Sequence, residues 1–171
     1  MDYFDVIEGR KSVRSFKRKE VSEEDVERLL SASMLAPSAG NLQAYKIIVV
    51  RDKSNREKLA AAAMGQDFII EAPVCMVVCA SGSGSRYGER GRQLYSLQDA
   101  TIVAAYIQLT AVAMGLASVW VGAFDEGEVA RIVGAPHGVR PIALIPVGYA
   151  GETPPRAPRK GYCGVVSRER L

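Results

Sequence analysis

The sequence predicts one α+β domain, residues 1–171, in which helices cover a central sheet. Its 171 residues are 48% hydrophobic and 24% charged, so the chain holds enough apolar material for a single core. Amphipathic segments alternate with short apolar runs as far as Val147, which is typical of helices and strands in turn. After Gly148 the chain is rich in Gly, Pro and Arg, which predicts a tail that lies along another surface.

Capping residues and turn signals predict the helices and strands in chain order. Asp2 can cap a short helix that ends at Gly9, and Ser22 with Asp25 begins a second helix that runs toward Pro37. The later helices are predicted over residues 53–64, 100–114 and 126–133. The strands are predicted over residues 45–50, 74–80, 118–121 and 142–147, and residues 81–92 are predicted to form a loop.

The stretch from Ala100 to Phe124 carries no formal charge and is long enough on paper to cross a membrane. Gln108 interrupts it, and Asp99 and Asp125 flank it, so we interpret it as a buried helix followed by a strand and expect no membrane association. A helix that is apolar on every side must be covered on every side. This predicts a homodimer with the long helix at its interface.

Charge and cysteine content indicate the setting of the protein. The formal net charge is only +3 and aromatic residues make up 7%, which disfavours a nucleic-acid binder built on basic patches. The three cysteines have no zinc-like or CxxC spacing, so neither a disulfide framework nor a metal site is expected. The N-terminus resembles no signal peptide, and a reducing, cytoplasmic setting is therefore expected.

Several widespread catalytic and nucleotide-binding motifs do not match this sequence. The only histidine, His137, lies in a predicted surface loop, so histidine triads and multi-histidine metal sites are hard to build. The glycine-rich run after the second strand has Tyr87 where a dinucleotide motif needs its third glycine. There is no P-loop, no nucleophile elbow and no visible acid–base pair, so the sequence identifies no catalytic side chain.

Six basic residues at positions 10–19, with no acid among them, form the first candidate binding segment. If the chain is extended here, Arg10, Ser12 and Arg14 lie on one side of it, with Lys11 on the other. Two guanidinium groups and a hydroxyl then converge, which suits a phosphate or another oxyanion. A second basic set lies in the tail: Arg156, Arg159 and Lys160. If the tail folds back, this set could close the same site, although on charge alone a solvated basic surface is the simpler interpretation.

The second candidate segment is the polar loop 37–43, which joins a predicted helix to a predicted strand. Its Pro37, Ser38, Gly40 and Asn41 offer donors and acceptors close together. An ordinary connection between a helix and a strand contains the same residue types, so the loop by itself is a weak signal.

Six motifs in fixed order carry more information than each does alone. They are residues 10–14 (RKSVR), 36–43 (APSAGNLQ), 98–99 (QD), 118–124 (SVWVGAF), 146–149 (PVGY) and 158–160 (PRK). In this order and spacing they resemble the nitroreductase-like family of FMN-dependent oxidoreductases, in its compact branch. The resemblance spans nearly the whole chain. It departs from the family pattern at Ala44 and Tyr45, where many members have Pro and Trp.

The resemblance implies a central mixed or antiparallel sheet flanked by helices, and a homodimer with two FMN sites at the subunit interface and a C-terminal tail that wraps the partner. It assigns FMN binding to these residues: Arg10, Lys11, Ser12, Arg14, Pro37, Ser38, Asn41, Gln66, Gly122, Ala123, Arg159 and Lys160. Arg10 and Ser12, with one of the tail bases, would bind the phosphate and ribityl chain, and Arg14 would lie near the pyrimidine edge of the ring. Backbone amides around Gly122 would approach flavin N5, and the 37–41 loop would come from the partner subunit.

The activity implied is a ping-pong hydride transfer from NADH or NADPH through FMN to a small acceptor such as a nitroaromatic, a quinone or a flavin. A positive group near the flavin would stabilise the charge that reduction leaves on the ring. Two alternatives stay open: a flavin-cleaving or dehalogenating member of the family, and a non-catalytic FMN-binding module. Residues 81–92 are a candidate lid, whose Arg86 and Arg90 could bind the phosphates of the nicotinamide nucleotide or an anionic substrate.

Overall fold

The computed structural model describes residues 2–82 and 86–170. Three positions of the predicted 81–92 loop and lid, 83–85, lie outside the described residues. The helices are α1 (Tyr3–Gly9), α2 (Glu23–Ser33), α3 (Lys53–Ala62), α4 (Phe68–Glu71), α5 (Gly88–Arg90), α6 (Ser96–Ala113) and α7 (Glu126–Val133). The strands are β1 (Tyr45–Val50), β2 (Val74–Ser81), β3 (Ala117–Ser118) and β4 (Val139–Gly148). Asp2 and Ser22 cap α1 and α2 as predicted.

The four strands form one sheet in the order β1-β2-β4-β3, and each neighbouring pair is antiparallel. The expected α+β fold with a central sheet is therefore confirmed, and the sheet is antiparallel. Side chains of β2 alternate between two cores because successive residues of a strand point to opposite faces. Met76 and Val78 belong to the core beneath α2 and α6, whereas Cys75 and Val77 belong to the core beneath α3 and α7.

The predicted strand 118–121 is wrong in extent, because β3 ends at Ser118. The register pairs Ala117 with Gly148, which places Pro146 opposite Val119. Proline has no N–H, so the ladder cannot continue at that step. Pairing returns only as an isolated bridge between Val121 and Leu144.

The predicted loop 81–92 is also wrong in part, because α5 and a wide helical turn at Gly91–Tyr95 lead directly into α6. The polar residues of this segment stabilise helical turns instead of a loop. Arg92 forms an ion pair with Glu89 at 2.6 Å, three residues earlier on the same exposed face. The Ser96 hydroxyl donates to the Arg92 carbonyl oxygen at 2.6 Å. The long helix consequently begins at Ser96 and not at Ala100.

One side of α6 packs on the sheet, and the opposite side is not fully covered within the chain. Ile102 and Leu109 are half-buried, and Tyr106 is 37% exposed. Their spacing of three and four residues places them on one stripe of the helix. No helix of the described residues is long and apolar enough to span a membrane.

Candidate functional site

The basic segment and the tail lie together around a cavity of about 340 Å³, which we call the basic cavity. Its lining residues are Arg10, Lys11, Ser12, Arg14, Pro154, Pro155, Arg156, Ala157 and Arg159. Among these described residues there is no acid, and four are arginines. The tail thus lies against the basic segment of its own chain, which is the arrangement in which its basic residues could close the same site. Lys160 does not line the cavity, although Arg159 does.

The basic segment is extended and lies beside the edge strand β3. Ser12 forms a parallel bridge with Ser118, and the Val13 N–H donates to the Ser118 carbonyl oxygen at 3.2 Å. Two carboxylates hold the backbone that follows. The Arg14 N–H donates to Glu152 Oε1 at 2.6 Å, and the Phe16 N–H donates to Glu71 Oε2 at 2.9 Å. These backbone contacts leave the Arg14 side chain exposed.

Gln66 and the loop after β3 meet in a second group of predicted residues. The Gln66 side-chain amide donates to the carbonyl oxygens of Ala63 at 2.8 Å and Ala123 at 3.3 Å. Gly122 and Ala123 are both exposed. A Cβ on Gly122 would lie 3.2 Å from Trp120 Nε1, so a side chain there would crowd the indole. The structure thus joins Gln66 to the Gly122 loop, a contact that the sequence alone did not predict.

The polar loop 37–43 and the following Ala44, together called the 37–44 loop, surround one buried carboxylate. Asp99, in the first turn of α6, is 2% exposed and accepts hydrogen bonds from the backbone N–H groups of Ala39 at 2.9 Å and Ala44 at 3.2 Å. Within the loop, the Ser38 hydroxyl accepts from the Gln43 N–H at 3.0 Å. Asp99 therefore fixes both ends of the loop.

The backbone of this loop is strained. Asn41 and Gln43 have φ values of 57° and 48°, which non-glycine residues rarely adopt. The Gln43 side-chain amide donates to Asn41 Oδ1 at 2.9 Å and supports this conformation. Gly40 has a φ of 56°, and a Cβ there would collide with the Tyr87 hydroxyl and the Arg86 guanidinium. Backbone strain held in place by such contacts is common at functional sites.

Asp99 also acts on the first residue of β1. Burial and the nearby Asp99 carboxylate raise the pKa of the Tyr45 phenol above its ordinary value of 10.0. Both effects disfavour the negatively charged phenolate form of Tyr45 next to the Asp99 carboxylate. Tyr45 thus remains a neutral hydroxyl over a wider pH range than an exposed tyrosine.

The loop borders a second cavity, of about 530 Å³, which we call the loop cavity. Its lining residues are Pro37, Ser38, Ala39, Leu97, Gln98, Asp99, Thr101 and Ile102. It lies at the N-terminal end of α6, whereas Ser118 and the basic cavity follow the C-terminal end. The 18 residues of α6 separate the two ends by about 27 Å. Within one chain, Pro37, Ser38 and Asn41 are therefore not brought to the basic cavity.

Several contacts at these two ends carried no clear sequence signal. Glu71 and Glu152 look like ordinary surface acids in the sequence, and only the fold shows that they bind the backbone of the basic segment. The contact of Arg86 with the Gly40 carbonyl oxygen, at 3.2 Å, joins segments 46 positions apart. Asp99 belonged to a recognised motif, but its two backbone partners could not be read from that motif.

Comparison with known proteins identifies the family. The model of the nitroreductase family matches residues 7–66 and 61–149, which is most of the chain. The chain belongs to the nitroreductase family. It is 31% identical over 172 residues to an NADH dehydrogenase of Thermus thermophilus, with 84% of each chain covered. It is 25% identical over 168 residues to an FMN reductase [NAD(P)H] of Bacillus subtilis, with 90% of this chain and 68% of the relative covered.

Solved structures of this family have the same fold. NfrA2 of B. megaterium superposes with a TM-score of 0.92 at 25% identity, over 98% of this chain and 74% of the other. The family assignment and the fold predicted from the motifs are therefore confirmed. Family membership makes the protein an enzyme of the nitroreductase type.

Proposed function

We propose that this nitroreductase-family protein is an FMN-dependent NAD(P)H oxidoreductase that binds FMN between the subunits of a homodimer. The observation that carries the proposal is the basic cavity, in which two distant segments gather arginines around an acid-free space. The phosphate and ribityl chain of FMN would bind there, through Arg10, Lys11, Ser12 and Arg159.

The donor set of the basic cavity fits a phosphate monoester. Guanidinium groups offer planar pairs of N–H donors and keep their charge at all physiological pH values, and Ser12 adds a hydroxyl. Within the described residues, the Arg159 side chain donates to the carbonyl oxygens of Ala157 and Pro158, at 3.4 and 3.5 Å, which are long hydrogen bonds. A phosphate would be a much stronger partner for this guanidinium.

The outer stripe of α6 supports the dimer. Ile102, Tyr106 and Leu109 form an apolar surface, and Ile102 also lines the loop cavity. In a two-fold dimer with antiparallel α6 helices, the N-terminal end of one helix lies beside the C-terminal end of the other. The 37–41 loop of one subunit would then face the basic cavity of its partner, so Pro37, Ser38 and Asn41 would complete the FMN site.

The remaining predicted residues would contact the flavin ring. When bound, FMN would supply the two-electron chemistry by which NADH or NADPH reduces a small acceptor in a ping-pong sequence. Arg14 would hold a fixed positive charge near the pyrimidine edge, where it favours the negative charge of the reduced state. Gly122 and Ala123 would present backbone to N5, and Gln66 would orient that loop through its hydrogen bond to the Ala123 carbonyl oxygen. A nitroaromatic, a quinone or a flavin would fit the role of acceptor.

The first test is the visible absorption spectrum of the purified protein, before and after anaerobic addition of NADH or NADPH. We expect an oxidised-flavin spectrum that bleaches with the nucleotide. A bound flavin that does not bleach would favour a binding module instead. Failure to bind FMN, even after reconstitution, would contradict the proposal.

Whether one site uses both subunits can be tested by complementation. One variant carries Arg10→Ala with Ser12→Ala, and the other carries Ser38→Ala with Asn41→Ala. Random exchange of subunits makes half of the dimers mixed, and each mixed dimer has one intact site, so about a quarter of all sites should regain FMN. If each site lies within one chain, mixing will restore no FMN binding. Each variant mixed with itself provides the baseline.

A further inference from the structure

Two arginines and two tyrosines form a cluster before α6, which we call the arginine–tyrosine cluster: Arg86, Tyr87, Arg90 and Tyr95. The first three are exposed, and Tyr95 is half-buried. The rings of Tyr87 and Tyr95 meet edge to face, with centroids 5.5 Å apart. The Arg86 guanidinium lies 5.3 Å from the centroid of the Tyr87 ring, and that of Arg90 lies 5.5 Å from the Tyr95 ring. Two cations are thus held beside two aromatic faces.

The charges of this cluster are not neutralised by acids in the part of the chain that the structure describes. Arg86 donates to the Gly40 carbonyl oxygen and to the Tyr87 hydroxyl, and Arg90 donates to the Tyr95 hydroxyl at 3.0 Å. Nearby arginines behave differently. Arg92 pairs with Glu89, Arg131 with Glu128 and Arg140 with Glu126, all within 3.0 Å. Among the described residues, Arg86 and Arg90 thus keep a positive charge that no carboxylate within salt-bridge distance neutralises.

The position of the cluster connects it to the 37–41 loop. Arg86 and Tyr87 lie so close to Gly40 that no side chain fits at that position. Under the proposed function, this loop covers the FMN site of the partner subunit. The arginine–tyrosine cluster would then stand at the rim of that site, where the part of a nicotinamide nucleotide remote from its reactive ring must lie.

We propose that the arginine–tyrosine cluster binds the adenosine phosphate end of NADH or NADPH, an inference that rests on the proposed function. Arg86 and Arg90 would bind a phosphate group, and the tyrosine rings would pack against the adenine. Guanidinium groups form paired, charge-assisted hydrogen bonds with phosphate, and aromatic side chains stack on any nucleobase. The cluster thus determines how the donor is bound and takes no part in the chemistry at the flavin.

The test is direct binding of adenosine 2′,5′-bisphosphate to the FMN-loaded protein, measured by calorimetry. The variant with Arg86→Ala and Arg90→Ala should bind this probe at least about tenfold more weakly, because it loses charge-assisted hydrogen bonds. Arg131→Ala is the matched control, since it removes one exposed arginine that already pairs with a glutamate. The control should bind the probe as the unaltered protein does. A double variant with Arg86→Lys and Arg90→Lys keeps the charge and should retain part of the affinity.

Steady-state kinetics with both donors identify the phosphate that is recognised. An increase in KM for NADPH alone in the double alanine variant indicates the 2′-phosphate, and an equal increase for NADH and NADPH indicates the pyrophosphate. Unchanged probe binding, or an increase in KM for an anionic acceptor only, would overturn the inference. FMN content is measured in every variant, and probe affinities are compared at equal FMN loading, because Arg86 also contacts Gly40. Absence of FMN from the unaltered protein would instead refute the proposed function, before any variant is compared.

Discussion

The basic cavity and the 37–44 loop occupy opposite ends of α6 and are held in place by different means. The basic cavity is formed by segments about 140 positions apart, which meet through the backbone contact of Arg14 with Glu152, and the described residues that line it include five basic ones and no acid. The loop depends on one buried acid, Asp99, which binds two backbone N–H groups and supports a strained turn. One end offers charge, and the other offers a rigid shape.

This difference explains why neither end looks like a complete site. Charged side chains at an exposed cavity bind an anion but do not define the orientation of a planar ring. A rigid turn with few charges orients a ligand but does not hold it strongly. The proposed dimer, which would join the two ends, would provide both functions at once.

The largest effect is expected from Asp99→Ala. The substitution leaves the N–H groups of Ala39 and Ala44 without their partner, and each unsatisfied buried group costs about 1–3 kcal/mol. The free energy of unfolding, measured with urea, should fall by about 2–5 kcal/mol, and FMN binding should weaken as well.

The matched control for this prediction is Asp125→Ala, which removes the exposed cap of α7. A lost helix cap costs only about 1 kcal/mol, and it lies outside the 37–44 loop, so FMN binding should be unchanged. Equal effects of the two substitutions on FMN binding would mean that Asp99 does not shape the loop end of the site.

A smaller effect is expected at the basic cavity, where Arg159→Ala and Lys160→Ala form a natural pair. Arg159 lines the cavity and its neighbour does not. Loss of a hydrogen bond to a charged group weakens FMN binding by about 1.5–3 kcal/mol, which is roughly tenfold to a hundredfold. Lys160→Ala should change the affinity less than twofold, as judged by fluorescence titration with FMN. The reverse order would assign the phosphate contact to Lys160.

The smallest effect is expected on the pKa of the Tyr45 phenol, which the Asp99 carboxylate helps to raise. Asp99→Asn removes that charge, so the pKa of the Tyr45 phenol should fall toward its ordinary value of 10.0. In the unaltered protein, Tyr45 favours folding at pH values below 10.0. This contribution is lost as pH rises, because the unfolded chain ionises first. An NMR pH titration of the tyrosine ring signals should show the shift, and an unchanged Tyr45 pKa would mean that burial alone causes it.

The sequence predicted most helices and strands because their signals are local. Asp2, Ser22 and the apolar spacing of α2 need no distant partner to be recognised. One error arose where a distant residue decides the outcome. Pro146 ends β3, although Val119 and its neighbours have the composition of a strand. The error at 81–92 is of another kind, because there a local i,i+3 pair, Glu89 with Arg92, was available in the sequence and was not read as helical.

The sequence by itself determined the family, the α+β class and the two groups of candidate residues, because ordered motifs and capping residues can be recognised from the sequence without knowledge of distant contacts. Only the tertiary structure decided which tail residues reach the basic segment, which acids hold its backbone, and how far the 37–41 loop lies from the basic cavity. The physical reason is that these properties depend on antiparallel strand pairing and on the length of α6. Strand pairing brings together residues that are more than a hundred positions apart in the sequence, and no local sequence pattern predicts such contacts.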